Sequence, residues 1–237
     1  MTIPFGRTGR GLGVMVAVLF GAGLLFAPGA ESSTSTYITP SGSTAGGQPV
    51  SATATFVTSN DDIKITLTNL QSNPTSVVQN LSDLTFTLST GQTSGTLLSS
   101  SGLERTVNAN GTFSNGGTVA TGWLLEAGLH LNDLAGGGAG PAHTLIGGPD
   151  GSSVYSNANN SIAGNVPHNP FLAGTISFDI QVIGVTAATL VNGVIFSFGT
   201  TPGVEVTGTP RVPEPATALL LGSGLLIVGA LRWRRRR

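Results

Sequence analysis

The chain has 237 residues, no Cys and only 9% charged residues, set against 35 Gly and 13 Pro. That length leaves room for one domain of ordinary size once the ends are set aside, and the lack of Cys excludes a disulfide framework, a thiolate metal site and a cysteine nucleophile. The formal charge of -1 hides a segregation: from Glu31 to Pro210 only Lys64 and Arg105 stand against ten carboxylates, a net of -8. A body so poor in cations cannot neutralise a phosphate backbone, which excludes nucleic acid as an expected partner and argues against docking on anionic lipid.

At the N-terminus Arg7 and Arg10 precede an apolar run from Leu12 to Phe26, followed by small residues at Ala27, Gly29, Ala30, Ser32 and Ser33. This is the layout of a secretory signal peptide, assigned to residues 1–30, with cleavage after Ala30 or after Ser32. The run is short for a lasting membrane span, which needs about 20 apolar residues.

Residues 31–49 are mostly Ser, Thr, Gly and Pro and predict a flexible lead-in. A period of two then sets in. Ala52, Ala54 and Phe56 alternate with Ser and Thr; so do Ile63, Ile65 and Leu67, then Leu84, Phe86 and Leu88. The pattern returns at Ile176, Phe178, Ile180 and Val182 and again at Val194, Phe196 and Phe198. Each run predicts a half-buried strand. Turns are expected at Asn60-Asp61-Asp62, Ser89-Thr90-Gly91, Asn110-Gly111, Asn115-Gly116-Gly117 and Asn192-Gly193. Short strands with frequent turns predict an all-β fold, an antiparallel β-sandwich over residues 50–208. The Gly-, Pro- and Asn-rich section from Ala135 to Pro170 predicts a long loop region with one short strand at His143 to Ile146.

Catalytic chemistry finds little support in the body. His130, His143 and His168 show no metal-ligand spacing. Asp61-Asp62 and Asp150-Gly151-Ser152 lack the alternating acidic loop of a calcium site, so we read them as turn residues. Nucleophile elbows, P-loops and dinucleotide fingerprints are missing from the sequence. No catalytic, cofactor-binding or metal residue is assigned, and the body is expected to be non-catalytic. Trp123 and Tyr155 are the side chains able to stack on a sugar ring, although the apolar neighbours of Trp123 mark it first as a core residue.

The C-terminal section, residues 209–237, contains Pro213-Glu214-Pro215, sixteen mainly apolar residues from Ala216 to Leu231, then Arg232, Trp233, Arg234, Arg235, Arg236 and Arg237. As a helix, residues 216–231 would rise about 24 Å, short of the roughly 30 Å hydrocarbon core, so the arginines must snorkel for the segment to span it. The five Arg hold that end in the cytoplasm, and with Arg7 and Arg10 also inside, everything between the two apolar runs lies outside the membrane. Pro213 and Pro215 prevent a helix from running back out of the bilayer and predict an extended, accessible stretch.

This ordered tail resembles the PEP-CTERM sorting signal of Gram-negative bacteria. The resemblance covers about the last 26 residues. It implies recognition of Pro213, Glu214 and Pro215 by an exosortase, a membrane-embedded cysteine protease or transpeptidase, with Arg232, Arg234, Arg235, Arg236 and Arg237 as the topological anchor. Bearers of the signal are typically associated with exopolysaccharide and biofilm genes. Phrases such as Leu67-Thr68-Asn69-Leu70, Asn73-Pro74-Thr75-Ser76 and Pro167-His168-Asn169-Pro170 are similar to those of ectodomains carrying such tails, which implies a single extracellular domain. The expectation is an exported surface or matrix protein that passes through the inner membrane, with the exosortase and an exopolysaccharide as partners and no cofactor. Two alternatives stay open: a carbohydrate-binding module or weak polysaccharide-acting enzyme using the long loop, and a permanently anchored envelope protein.

Overall fold

The computed structural model describes residues 31–201 and 204–211; residues 1–30, the Pro-Glu-Pro triplet and the apolar run 216–231 lie outside the described residues. The strands in chain order are β1 (Ser33–Ile38), β2 (Thr44–Ala45), β3 (Gln48–Pro49), β4 (Ala52–Ser59), β5 (Asp62–Asn69), β6 (Leu81–Leu88), β7 (Thr96–Val107), β8 (Phe113–Val119), β9 (Leu124–Glu126), β10 (His130–Asn132), β11 (Leu145–Ile146), β12 (Phe171–Gln181), β13 (Val191–Phe198), β14 (Glu205–Thr207) and β15 (Thr209–Pro210). The helical element among the described residues is a single 3-10 turn at Val77–Gln79.

The protein is all-β, and its 13-stranded sheet is mostly antiparallel. The pairing sorts into two leaves. The larger runs β8-β7-β12-β5-β4-β1-β15, and the smaller runs β14-β13-β6-β10-β9. β11 bridges them at one end, parallel to β12 through Leu145↔Leu172 and antiparallel to β6 through Leu145↔Leu81. The other side is closed by the segment Glu205–Pro210. β14 pairs with β13 on the small leaf, and two residues later β15 pairs with β1 on the large one. The step between leaves is at Gly208, where an added Cβ would lie 2.8 Å from the Phe196 ring.

The predicted alternation places the core. On β4 the buried positions are Ala52, Ala54, Phe56 and Thr58, and on β5 they are Ile63, Ile65, Leu67 and Asn69. Leu84, Phe86, Phe178, Ile180, Val194 and Phe196 meet them from the other strands. Phe56 and Phe86, from opposite leaves, have ring centroids 5.1 Å apart. Period-two strands bury one face only, and folding the sheet over lets the two apolar faces cover each other.

Three local expectations are corrected. The Ser/Thr-rich segment read as a flexible lead-in contains β1, hydrogen-bonded along its whole length to β4. Ladder formation uses main-chain groups, and Thr has good strand propensity, so this segment needs only one apolar anchor. That anchor is Tyr37, packed edge-on to Phe56 at 6.1 Å with its hydroxyl donating to the Val191 carbonyl. The sheet therefore extends beyond the expected limits of 50–208, using β1 at one end and β15 at the other. Asn192-Gly193 is no turn but a bulge inside β13, where the register to β6 shifts and Gly193 takes φ +53°. Asn115-Gly116-Gly117 likewise lies within β8. The expected turn at Asn60-Asp61-Asp62 does join β4 to β5, with Asp61 at φ +56°.

Candidate functional site

The sequence-assigned residues Pro213, Glu214, Pro215, Arg232, Arg234, Arg235, Arg236 and Arg237 lie outside the described residues. What the structure does give is the point from which they depart. The Arg211 N–H donates to the Thr36 carbonyl at 2.7 Å, pinning the chain to β1 two residues before Pro213.

The long loop covers one end of the leaves. Its strand forms at Leu145–Ile146, inside the expected span, and its turns close a second apolar cluster of Val77, Val107, Ile146, Tyr155, Ile162 and Phe171. Tyr155 is 1% exposed; its hydroxyl donates to the Gly147 carbonyl at 2.8 Å and accepts from Arg105 Nη1 at 3.0 Å. Burial raises its pKa, and the Arg105 guanidinium partly offsets that. Arg105 is itself held over the Phe113 ring at 4.0 Å and by Asn115 Oδ1 at 2.9 Å. Trp123 is equally buried, 5.6 Å from Phe178, with Nε1 donating to the His143 carbonyl at 3.1 Å. The core reading of Trp123 holds. Neither aromatic presents a face for a sugar to stack on, so both drop out as ligand residues.

The imidazoles are each fixed by local partners. His143, at φ +62°, donates from Nδ1 to the Thr121 carbonyl at 2.8 Å and points Nε2 at Glu104 Oε1, 3.0 Å away. Both ring nitrogens are thus committed to holding the loop against β7. His130 lies between Asp83 Oδ2 at 3.5 Å and Glu126 Oε2 at 3.3 Å. Burial raises the pKa of Asp83, while its hydrogen bond with Ser197 and the nearby His130 act the other way. His168 is bound through Nδ1 to the Ser161 carbonyl at 2.7 Å and lines a cavity of about 470 Å³ with Leu134, Gly140, Pro141 and Thr200. The atoms bonded by these rings are carbonyls and carboxylates, not Ser or Thr hydroxyls, so no nucleophile is brought to a base there. Among the described residues no three His, Asp or Glu side chains converge as a metal cluster. Asp61 and Asp150 act in turns: Asp61 Oδ1 accepts from Gly184 N–H at 2.7 Å, and Asp150 Oδ1 from Ser152 and Val154 N–H at 2.8 and 3.1 Å.

Asp133 is the most perturbed group. It follows β10, is fully buried, and neither carboxyl oxygen has a hydrogen-bond partner in the protein. Its main chain is satisfied by the Ser82 carbonyl and the Gly140 N–H, so the backbone fixes it in place. Burial pushes its pKa up to about 8, which keeps the carboxyl mostly protonated at neutral pH.

Sequence reasoning passed over the outer face of the large leaf. Ser101, Ser177, Thr66, Thr55 and Thr36 are paired in one row across β7, β12, β5, β4 and β1. Thr175, Thr68 and Thr53 make a second row beside it. Hydroxyls bond along these rows: Thr36 to Thr55 at 3.1 Å, Thr68 to Thr175 at 3.0 Å and Ser101 to Ser177 at 3.0 Å. Beside them Lys64 bridges its cross-strand partner Asp179 at 3.0 Å and Asp62, two residues back on β5, at 2.8 Å. The signal was present as the polar half of each alternating run, but only the long-range register shows that the hydroxyls line up.

Among the described residues no helix is long and apolar enough to cross a membrane. Compared with family models, curated proteins and solved structures, the chain matches none.

Proposed function

We propose that the chain is an exported, non-catalytic surface or extracellular matrix protein of a bacterium, whose C-terminal tail is a PEP-CTERM signal read by an exosortase. The observation that carries this reading is the order of the tail: Pro213-Glu214-Pro215, a short apolar run, and five arginines after it. A tail anchor accounts for the apolar run and the arginines but leaves the triplet without a role. The N-terminal run supplies export, and the topology argument then sets the β body outside the membrane. The body is an antiparallel β-sandwich whose His rings are occupied as structural ties, which favours a binding or matrix-filling role over turnover. The protein occupies the inner membrane transiently and then the surface or matrix, where exopolysaccharide is its expected surrounding.

The test separates recognition from anchoring. In a host with the matching exosortase, replacing Pro213, Glu214 and Pro215 by Ala leaves membrane insertion intact, because Glu214 lies outside the apolar run, but abolishes processing. Neutralising Arg234 to Arg237 removes the topological stop instead. Mass spectrometry of the surface form is expected to find a C-terminus near Pro215. An intact chain ending at Arg237, or unaltered processing after the triple change, would establish a permanently anchored envelope protein.

A further inference from the structure

From the hydroxyl rows on the large leaf we infer that this face binds a neutral polysaccharide chain laid across the strands. The inference rests on the proposed matrix setting for the place where such a chain is met, and deepens it by naming the surface and the ligand chemistry. Neighbouring strands lie about 4.8 Å apart, and residues two apart on a strand about 6.8 Å, so the two hydroxyl rows form a regular grid of donors and acceptors. Each hydroxyl combines one donor with two acceptor sites, so bonding to a neighbour still leaves capacity for a ligand. Thr66 and Ser177 are exposed at the centre of the longer row. The rotamers of β-branched Thr are restricted before any ligand arrives, which reduces the ordering cost of binding.

The chemistry of the face selects the partner. Large aromatics, the usual anchors of a protein interface, are missing from the two rows, and Arg211 stands only at the edge of the longer one, opposite Thr36, which argues against a protein partner. The net charge of -8 between Glu31 and Pro210 disfavours an anionic glycan; of the cations that the described residues place on this face, Lys64 is already bridged by Asp62 and Asp179, and Arg211 stands at its edge, opposite Thr36. An ice lattice would need a flat array, whereas paired strands twist by roughly 20° from one to the next. A glycan chain can follow that twist through its glycosidic torsions.

Affinity electrophoresis of the full-length protein in mild detergent tests this, with gels containing hydroxyethyl cellulose, dextran or alginate. Retardation is expected with a neutral polymer and not with alginate. Thr55→Val with Thr66→Val keeps shape and strand propensity and should weaken binding about tenfold, while the Ser pair at the same positions should retain it. Circular dichroism melting of each variant shows that the sheet is intact. The inference is overturned if neither neutral polymer retards the protein, if the Val pair is retarded as strongly as the parent, if alginate retards it more, or if the protein restrains ice growth without binding glycan. C-terminal processing is read independently, so failure of one result leaves the other standing.

Discussion

At the scale of single residues, Asp133 sets a pH dependence whose sign follows from its burial. Its folded pKa lies near 8, above the ordinary 3.8. Between these values the unfolded chain has released the proton and the folded chain keeps it, so the contribution of this group to stability is fully present below about pH 4 and is lost as pH rises towards 8. The slope from this one group approaches about 1.4 kcal/mol per pH unit in mid-window. Asp133→Asn should flatten that dependence and raise stability at pH 8, as read by urea unfolding at pH 5 and pH 8. An unchanged pH dependence would refute the assignment. Trp123→Ala, by contrast, opens a cavity behind Phe178 and should cost about 3–5 kcal/mol at either pH.

Among the elements, the glycines separate tight positions from open ones. Gly208→Ala drives a methyl onto Phe196 where the chain changes leaf, and should destabilise by about 1–3 kcal/mol. Gly117→Ala on β8 meets nothing within 4 Å and should be neutral, or stabilising by about 0.4–1 kcal/mol through the unfolded chain. Urea midpoints of the two variants should move in opposite directions or only the first should move. Strand existence was legible in the sequence wherever large apolar residues alternated, as on β4, β5, β6, β12 and β13. It was illegible at β1, where one tyrosine anchors a ladder of Ser and Thr, and at Asn192-Gly193, where the same dipeptide that makes a hairpin serves a bulge. Both depend on a partner strand far away in the chain. Hydrogen exchange should therefore find the amides of Ser33–Ile38 that point at β4, every second one, protected; exchange of all of them at the rate of a free chain would restore the lead-in reading.

At the scale of the molecule, alternation and turn spacing were enough to predict an all-β body, since they report local burial. The pairing of residues as distant as Ser101, Ser177 and Thr36 required the fold, so the hydroxyl face could not be read from the chain alone. The proposed sorting signal is the reverse case, legible only as linear order. The two meet at the seam Glu205–Pro210, where the strap that closes the leaves is also the last stretch before the tail. A pull on the tail of a body held by its surroundings loads the Arg211–Thr36 bond first, then the two-residue ladder of β15 and the three pairs of β14, one after another rather than all together. Release of those six residues would lengthen the tether by about 20 Å, which on the proposed sorting route would give a membrane-embedded enzyme more reach to a triplet that begins two residues after Arg211. In optical-tweezer traces this should register as a small, reversible extension at low force ahead of the main rip, and stapling β15 to β1 should remove it.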